Sequence, residues 1–320
     1  MRIVQKFGGS SLADPARLRR AAGISLEAKR RGNEVLTVVS APGESTDKLL
    51  ALAREITPQP SARELDALLA TGEQGSAALM AMMLEMLGTA ARSYSGWQAG
   101  LVTDENHGEA RLLLAAPRRL LEALAAGEIP VVAGFQGITP SGDISTLGRG
   151  GSDTSAVALA AALGAERCEI YTDVDGVYTA DPRLVDGARL LPAIDSRDML
   201  ALARAGSQVL HAESVRLAMA EGQPIRLLSS FSASPGSEVR LLDESERPAL
   251  AGVTRDGAAH TVTLAGRDAA VCAAGLIGSG ELPAESVTGW RAAGNLAVFL
   301  VRPGEELSVL RAVHRAVFEQ

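Results

Sequence analysis

Aromatic residues make up only 3% of this 320-residue chain, which carries two cysteines, four histidines and no long run of either charge. Each scarcity argues against a class of protein. Cys168 and Cys272 stand far apart, which gives neither a disulfide framework nor a metal cluster; both are expected as small buried hydrophobes. With 31 basic residues against 38 acidic ones the net charge is -7, and no basic stripe is present to meet nucleic acid or an anionic membrane. No uncharged apolar stretch is long enough to cross a bilayer, and no apolar signal region precedes the strand-like Arg2-Ile-Val-Gln-Lys6. A cytoplasmic protein with neither nucleic-acid nor membrane partners is expected. Ala and Leu dominate the apolar residues, so the core should be aliphatic.

What the chain does have is glycine-rich turns at the ends of apolar runs, and enough length for two domains. The central one is Thr146-Leu-Gly-Arg-Gly-Gly-Ser-Asp-Thr-Ser155. It follows a buried-strand pattern at Ile129–Ala133 and opens into an Ala/Leu-rich helix over 156–163, closed by Gly164. Asp153 or Thr154 is placed to cap that helix, which would turn its unpaired first-turn amides toward the glycines. Such a turn is either a plain tight connection or an anion site, with Gly148, Gly150 and Gly151 admitting a ligand and Arg149 adding a fork for carboxylate or phosphate.

Strands and helices alternate through the first two-thirds of the chain. A strand ending at Lys6 runs into Phe7-Gly-Gly-Ser-Ser11, and a helix is expected over 14–31. Lys6 is either a solvated strand-end lysine or an ammonium that meets phosphates beside the glycine amides. A second buried strand over 34–40 ends in Ser40-Ala-Pro-Gly43, with Thr46-Asp47 placed to cap a helix from about 48. One or two helices over 62–88 are expected, interrupted at Thr71-Gly-Glu73, so that Glu73 sits in a break as an exposed acid or as a partner for an ammonium group. Leu79, Met82, Met83 and Met86 are adaptable core or a subunit contact. A helix over 117–127, with Pro117 in its first turn, leads to the strand before the central loop. Beyond it come a strand over 168–172, the turn-rich segment 173–183, helices over 196–205 and 208–221, and a strand over 225–229. The three acids of 173–183 lack the closing Glu of a calcium loop, whereas Tyr178 and Arg183 could flank a nucleotide. The alternation predicts an α/β domain with a mostly parallel sheet, its ligands at the carboxyl ends of the strands.

Residues 234–248, rich in Ser, Pro, Gly and acids, suggest a linker. After it the pattern changes to strands over 250–266, a short helix over 267–278, a strand over 296–301 and an amphipathic helix over 305–318, a small α+β module in which His260 and His314 are surface or packing residues. The expected domains are therefore 1–233 and 249–320.

Taken together, Lys6-Phe-Gly-Gly-Ser-Ser11, Val38-Val-Ser-Ala41 with Thr46-Asp47, Gly72-Glu73 with Ser76-Ala77, Gly134-Phe-Gln-Gly137, residues 146–155, residues 171–183 and Val209-Leu-His211 resemble the aspartate kinase branch of the amino acid kinase family. The resemblance spans about residues 1–231, in order and with similar spacing. A Rossmann dehydrogenase does not match, since neither its glycine fingerprint nor a Walker lysine is present.

The resemblance implies an amino acid kinase-like α/β sandwich followed by an ACT-like module. It implies transfer of the ATP γ-phosphoryl group, with Mg²⁺, to the side-chain carboxylate of L-aspartate or a close analogue, as the first step toward lysine, threonine and methionine. By matching motif, Lys6 and Asp153 would be catalytic, Lys6 stabilising phosphoryl charge and Asp153 orienting it. Gly8, Gly9 and Ser10 would cradle phosphates, while Thr172, Asp173, Tyr178, Arg183, Gln208 and Val209 would hold the nucleotide. Ser40, Thr46, Glu73, Arg149, Gly150 and Ser152 would hold the amino acid. A homodimer or higher homo-oligomer is implied.

Two departures stand out. Gly206-Ser-Gln-Val-Leu-His211 has Gln208 where the family usually places a lysine, and residues 249–320 have room for one ACT-type module where two are usual. These raise a second function, a weak or inactive homologue serving as a ligand-binding or regulatory subunit. A kinase for glutamate or N-acetylglutamate is a third, less well matched by 146–155 and 171–183.

Overall fold

The computed structural model describes residues 1–283 and 285–319. In strand β1 (Arg2–Phe7) every residue after Arg2 is buried, the pattern of a parallel strand covered on both faces. Helix α1 (Pro15–Arg30) starts where the Asp14 carboxylate accepts the Arg17 amide at 2.8 Å, with Pro15 already set for the first turn. Strand β2 (Glu34–Val39), α2 (Ser45–Ile56) and the long α3 (Ala62–Met86) follow, then β3 (Ala91–Tyr94), β4 (Leu101–Thr103), β5 (Leu112–Ala115) and α4 (Arg118–Ala125). Next come β6 (Ile129–Ala133), β7 (Gln136–Ile138), β8 (Ile144–Thr146), α5 (Gly151–Ala162) and β9 (Arg167–Thr172). The chain continues through β10 (Ala193–Asp195), α6 (Ser196–Arg204), α7 (Ala212–Glu221), β11 (Ile225–Ser229) and β12 (Ser237–Arg240). It ends with β13 (Gly252–Asp256), β14 (Thr261–Ala265), α8 (Ala269–Ser279), β15 (Val287–Ala293), β16 (Leu296–Val301) and α9 (Glu306–Phe318).

Two units divide these elements. The first comprises Met1–Asp173 and Ala220–Ala233. Its main sheet runs β11-β9-β1-β2-β6-β3, with every neighbouring pair parallel. Phe7, Val35, Val39, Ile129 and Val131 join Leu18 and Ala22 of α1 and Met80 and Leu84 of α3 in one aliphatic core. Their strand neighbours Val4, Leu36, Val38 and Val132 alternate to the opposite face, where α4 and α5 meet the sheet. Each such side chain contributes roughly 1.5–3 kcal/mol on burial, so a chain poor in aromatics can still be held by Val, Leu and Ile. A second sheet, β5-β4-β7-β8, carries the loop that precedes α5.

The second unit comprises Val174–Met219 and the chain from Ser234 onward. Strands β10 and β12 pair in parallel, and β13-β14-β16-β15 form an antiparallel sheet packed on α8 and α9 through Val262, Leu264, Phe299, Val309 and Val313. His314 is buried there, its Nε2 3.0 Å from Thr179 Oγ1, and His260 lies 2.6 Å from Glu306.

Several local expectations are corrected. Residues 62–86 form one helix that passes straight through Thr71-Gly-Glu73, because Gly72 faces Ala41 so closely that a Cβ would lie 2.9 Å from the Ala41 methyl. Thr46 and Asp47 lie inside the first turn of α2, which starts one residue earlier with the Ser45 hydroxyl bonded to the Pro42 carbonyl. Asp153 and Thr154 do not cap α5: Gly150, at φ 71°, is its N-cap, and both residues fall within the first turn. Pro117 caps α4 rather than entering it. Gly206 takes φ 107° and helix α7 begins only after His211, whose carbonyl receives the Val215 amide and the Ser214 hydroxyl, so Gln208 and Val209 lie outside it. Strand β12 falls within the expected 234–248 linker, anchored by Ser237 Oγ, which accepts the Val177 amide and donates to the Leu191 carbonyl.

Candidate active site

Because the strands are parallel, their carboxyl ends share one edge, and the backbone hydrogen bonding continues past the strands into the turns. Ser230 N donates to Thr172 O at 2.8 Å, Gly8 N to Tyr171 O at 3.1 Å, Ser40 N to Phe7 O at 3.1 Å and Gly134 N to Val39 O at 3.0 Å. These rungs set the turns after β11, β9, β1, β2 and β6 side by side, the edge where ligands of open α/β sheets collect. Phe7 and Tyr171 stack beneath them with ring centroids 4.8 Å apart.

Lys6 is the last residue but one of β1, opposite Val38 and Ile170. Its ammonium is 2.6 Å from Asp153 Oδ1 in the first turn of α5, and both side chains are largely withdrawn from water, at 11% and 9% exposure. A paired lysine and carboxylate at that burial are held in one geometry rather than solvated. The turn after Lys6 is equally constrained. Gly43 N donates to Gly9 O at 2.9 Å, and a Cβ on Gly9 would lie 2.7 Å from the Ala41 carbonyl, so no other residue fits. A Cβ on Gly8 would stand 3.6 Å from the Lys6 ammonium, in the space an anion beside it would occupy. Ser10 enters a short 3-10 turn over Gly9–Leu12, and its carbonyl accepts Arg17.

Glu73, expected in a helix break, is instead buried in mid-helix at 4% exposure. Its Oε1 accepts the Ala41 amide at 3.0 Å, while its Oε2, and the Ser76 hydroxyl one turn on, have no hydrogen-bond partner among the described residues. Burial raises the Glu73 carboxyl to about 7, against the Ala41 amide and the Lys6 charge, which pull it down. A buried acceptor left without a donor is costly unless a ligand supplies one. Ser40 and Thr46 are half-buried on the neighbouring turn and first turn of α2. Arg149 is exposed on a tight turn between Gly148 at φ 69° and Gly150 at φ 71°, and Ser152 is buried just beyond. Thr172 ends β9 and bonds to the exposed Asp173 at 3.1 Å.

Tyr178, Arg183, Gln208 and Val209 belong to the second unit. Tyr178 bridges to Leu190, and Arg183 makes a two-toothed pair with Asp181, holding that carboxyl below its usual range. Gln208 is exposed and Val209 half-buried.

Sequence patterns did not single out Phe135, which adopts φ 70°, a strained backbone for a non-glycine residue. Its amide is held by Ser155 Oγ at 3.0 Å, and it lies against Gly151. Its one sequence signal was its place between Gly134 and Gly137. Among the described residues no three of His, Cys, Asp and Glu gather as a metal cage.

The Amino acid kinase family model matches residues 1–229. The chain belongs to the amino acid kinase family. Within it, the chain is 50% identical over 268 residues to a protein of Mycolicibacterium smegmatis named Aspartokinase, a match covering 82% of this chain and 64% of that one. A Thermus thermophilus Aspartokinase is 46% identical over 254 residues, covering 79% and 63%. The chain thus spans just under two-thirds of the length of these relatives. Among solved structures, aspartate kinase from Synechocystis is 37% identical with a TM-score of 0.69, covering 99% of this chain and 55% of that one. E. coli aspartokinase III in complex with aspartate and ADP superposes with a TM-score of 0.87 at 23% identity, covering 99% and 100%, a likeness of fold.

Proposed function

We propose that this family member transfers the γ-phosphoryl group of ATP to the side-chain carboxylate of L-aspartate, giving 4-phospho-L-aspartate and ADP, and that residues 1–233 carry the chemistry. The observation that carries this is the buried Lys6–Asp153 pair at 2.6 Å on the edge where the turns converge. The relatives named Aspartokinase support the choice of acid.

A carboxylate oxygen attacks the γ-phosphorus, a P–O bond forms, the bond to the β-phosphate oxygen breaks, and no proton need move. The site has only to align two anions and offset their charge. Lys6 supplies that charge, Asp153 fixes its direction, and Gly8, Gly9 and Ser10 leave room for phosphoryl oxygens. Thr172 and Asp173, at the carboxyl end of β9, hold the nucleotide. Glu73 receives the substrate ammonium on its unpartnered oxygen, and Arg149 takes a carboxylate beside Gly150 and Ser152, with Ser40 and Thr46 completing the pocket. Mg²⁺, when bound with ATP, would neutralise phosphate charge.

Self-association accompanies this function in our proposal, supported by the exposed Leu79, Met82 and Met86 on α3, and so does a cytoplasmic location. A coupled assay across amino acids, with hydroxylamine trapping of the acyl phosphate, tests the activity. Turnover with L-aspartate is expected, and absence of turnover with every acid would refute it.

A further inference from the structure

Seven residues before Glu73, on the same face of α3, lies a second buried carboxylate that neither the chemistry above nor any motif uses. Asp66 is 1% exposed. Its Oδ1 accepts the Thr146 hydroxyl at 2.5 Å, its Oδ2 lies 2.8 Å from His107 Nδ1, and the Gly108 amide donates to both oxygens at 3.1 Å. A buried carboxylate with this many partners is a structural node, since removing it would leave several donors unpaired.

The partners define what the node holds. Thr146 is the last residue of β8, and its carbonyl accepts the Ala110 amide at 2.9 Å. One residue later Leu147 N donates to Phe135 O at 2.8 Å, and the tight turn carrying Arg149 is closed by Gly151 N donating to Gly148 O at 3.1 Å. A Cβ on Gly148 would meet the Gly108 carbonyl at 3.5 Å, so the 104–110 loop lies directly against this turn. Arg149 itself is exposed, between two glycines with positive φ. Its place depends on the turn, and the turn is anchored at Thr146 by Asp66.

We propose that Asp66, with His107 and Thr146, is a positioning residue that sets Arg149 for the carboxylate of the acceptor amino acid. This rests on the function proposed above. One rigid helix then carries both controls on the amino acid: Glu73 for its ammonium directly, and Asp66 for its carboxylate through the Arg149 turn. The nucleotide residues Lys6, Gly8 and Thr172 lie on other elements, so the effect falls on one substrate.

The test uses the full chain with Asp66→Ala, Asp66→Asn and Thr146→Val. Asp66→Ala is expected to raise the KM for L-aspartate by about tenfold or more, while kcat and the KM for ATP stay within about threefold. Asp66→Asn keeps the volume and part of the acceptor set and should fall between Ala and wild type. Should the alanine variant not fold, Thr146→Val decides: it removes one hydrogen bond at equal size, and an unchanged KM for L-aspartate would overturn the proposal. An equal rise in both KM values, as a general loosening would give, would overturn it too. If the wild-type chain phosphorylates no acid, the proposed function has failed, and the clamp is judged separately by hydrogen exchange. Faster exchange of residues 104–110 and 146–151 in Asp66→Asn, with β1 and β9 unchanged, upholds it, and equal exchange rejects it.

Discussion

Lys6 and Asp153 meet at 2.6 Å from opposite kinds of element, the end of a parallel strand and the first turn of a helix, in a setting nearly closed to water. Neither can be altered without leaving the other as an unpaired buried charge.

Lys6→Met should therefore have two separable effects. Loss of one preorganised charge should lower kcat by about 10²–10³-fold, and the orphaned Asp153 should cost about 3 kcal/mol of folding stability. Adding Asp153→Asn should recover much of the stability and none of the activity. Denaturant unfolding alongside steady-state kinetics checks this, and recovery of activity in the double variant would contradict the role given to Lys6.

The Glu73 carboxyl, raised to about 7 by burial, links pH to stability with a definite sign. The unfolded state releases this proton at lower pH than the native state, so stability falls as pH rises from about 4.5 to about 7, by on the order of 3 kcal/mol. Glu73→Gln should abolish that slope and make the ligand-free protein more stable at pH 8. The same substitution should raise the KM for L-aspartate, and in wild type that KM should drop as pH rises through about 7, because the ammonium is received by the ionised form. Melting temperatures and KM values from pH 5 to 8 test both.

Gly72→Ala sets two effects against each other. Helix propensity favours alanine by about 1 kcal/mol, whereas a methyl 2.9 Å from the Ala41 methyl brings an overpacking cost of about 1–3 kcal/mol. The second should win, since Ala41 has no flexible end to swing away and its amide is tied to Glu73. A lower denaturation midpoint with unchanged slope is the expected result.

Much of the α/β frame was legible because the physics behind it is local. The strands expected over 225–229 and 296–301 match β11 and β16 residue for residue, and the helix expected over 14–31 is α1 to within a residue at each end. Two of the errors share a cause, the reading of a glycine. Gly72 sits in a helix because a neighbour needs the space, and Gly150 moves the start of α5 ahead of Asp153. β15 was missed, since Val287–Ala293 alternates weakly and pairs as an edge strand. The site followed the same division. Lys6, Gly9 and Glu73 were visible as types beside turns. Asp66 was not, because one acid on a helix carries no signal until the loops that fold onto it are known.

In the second unit, Arg247 grips both oxygens of Asp198, at 3.0 and 2.6 Å, and Asn295 donates to the same carboxylate at 2.6 Å. Asp198→Ala should destabilise the protein by about 3–5 kcal/mol, because it strands a buried guanidinium. Asp198→Leu with Arg247→Met should lose far less, and calorimetry on the two variants distinguishes a needed charge pair from a filled space.

Gln208→Lys should change kcat by less than about tenfold if Lys6 and magnesium already offset the phosphate charge. A gain of several hundredfold from a nearly silent wild type would instead mark the chain as a weakened homologue.

The polypeptide passes between its two bodies three times, after residues 173, 219 and 233. Neither body can be released by a single cut. A fragment stopped at 233 still carries 174–219 but strips β10 of its partner β12 and of the whole antiparallel sheet, exposing apolar surface that should drive it to aggregate. Expression of the family-matched portion by simple truncation should therefore fail, and any split-protein or domain-swap experiment must keep all three crossings and the strands β12 to β16 together.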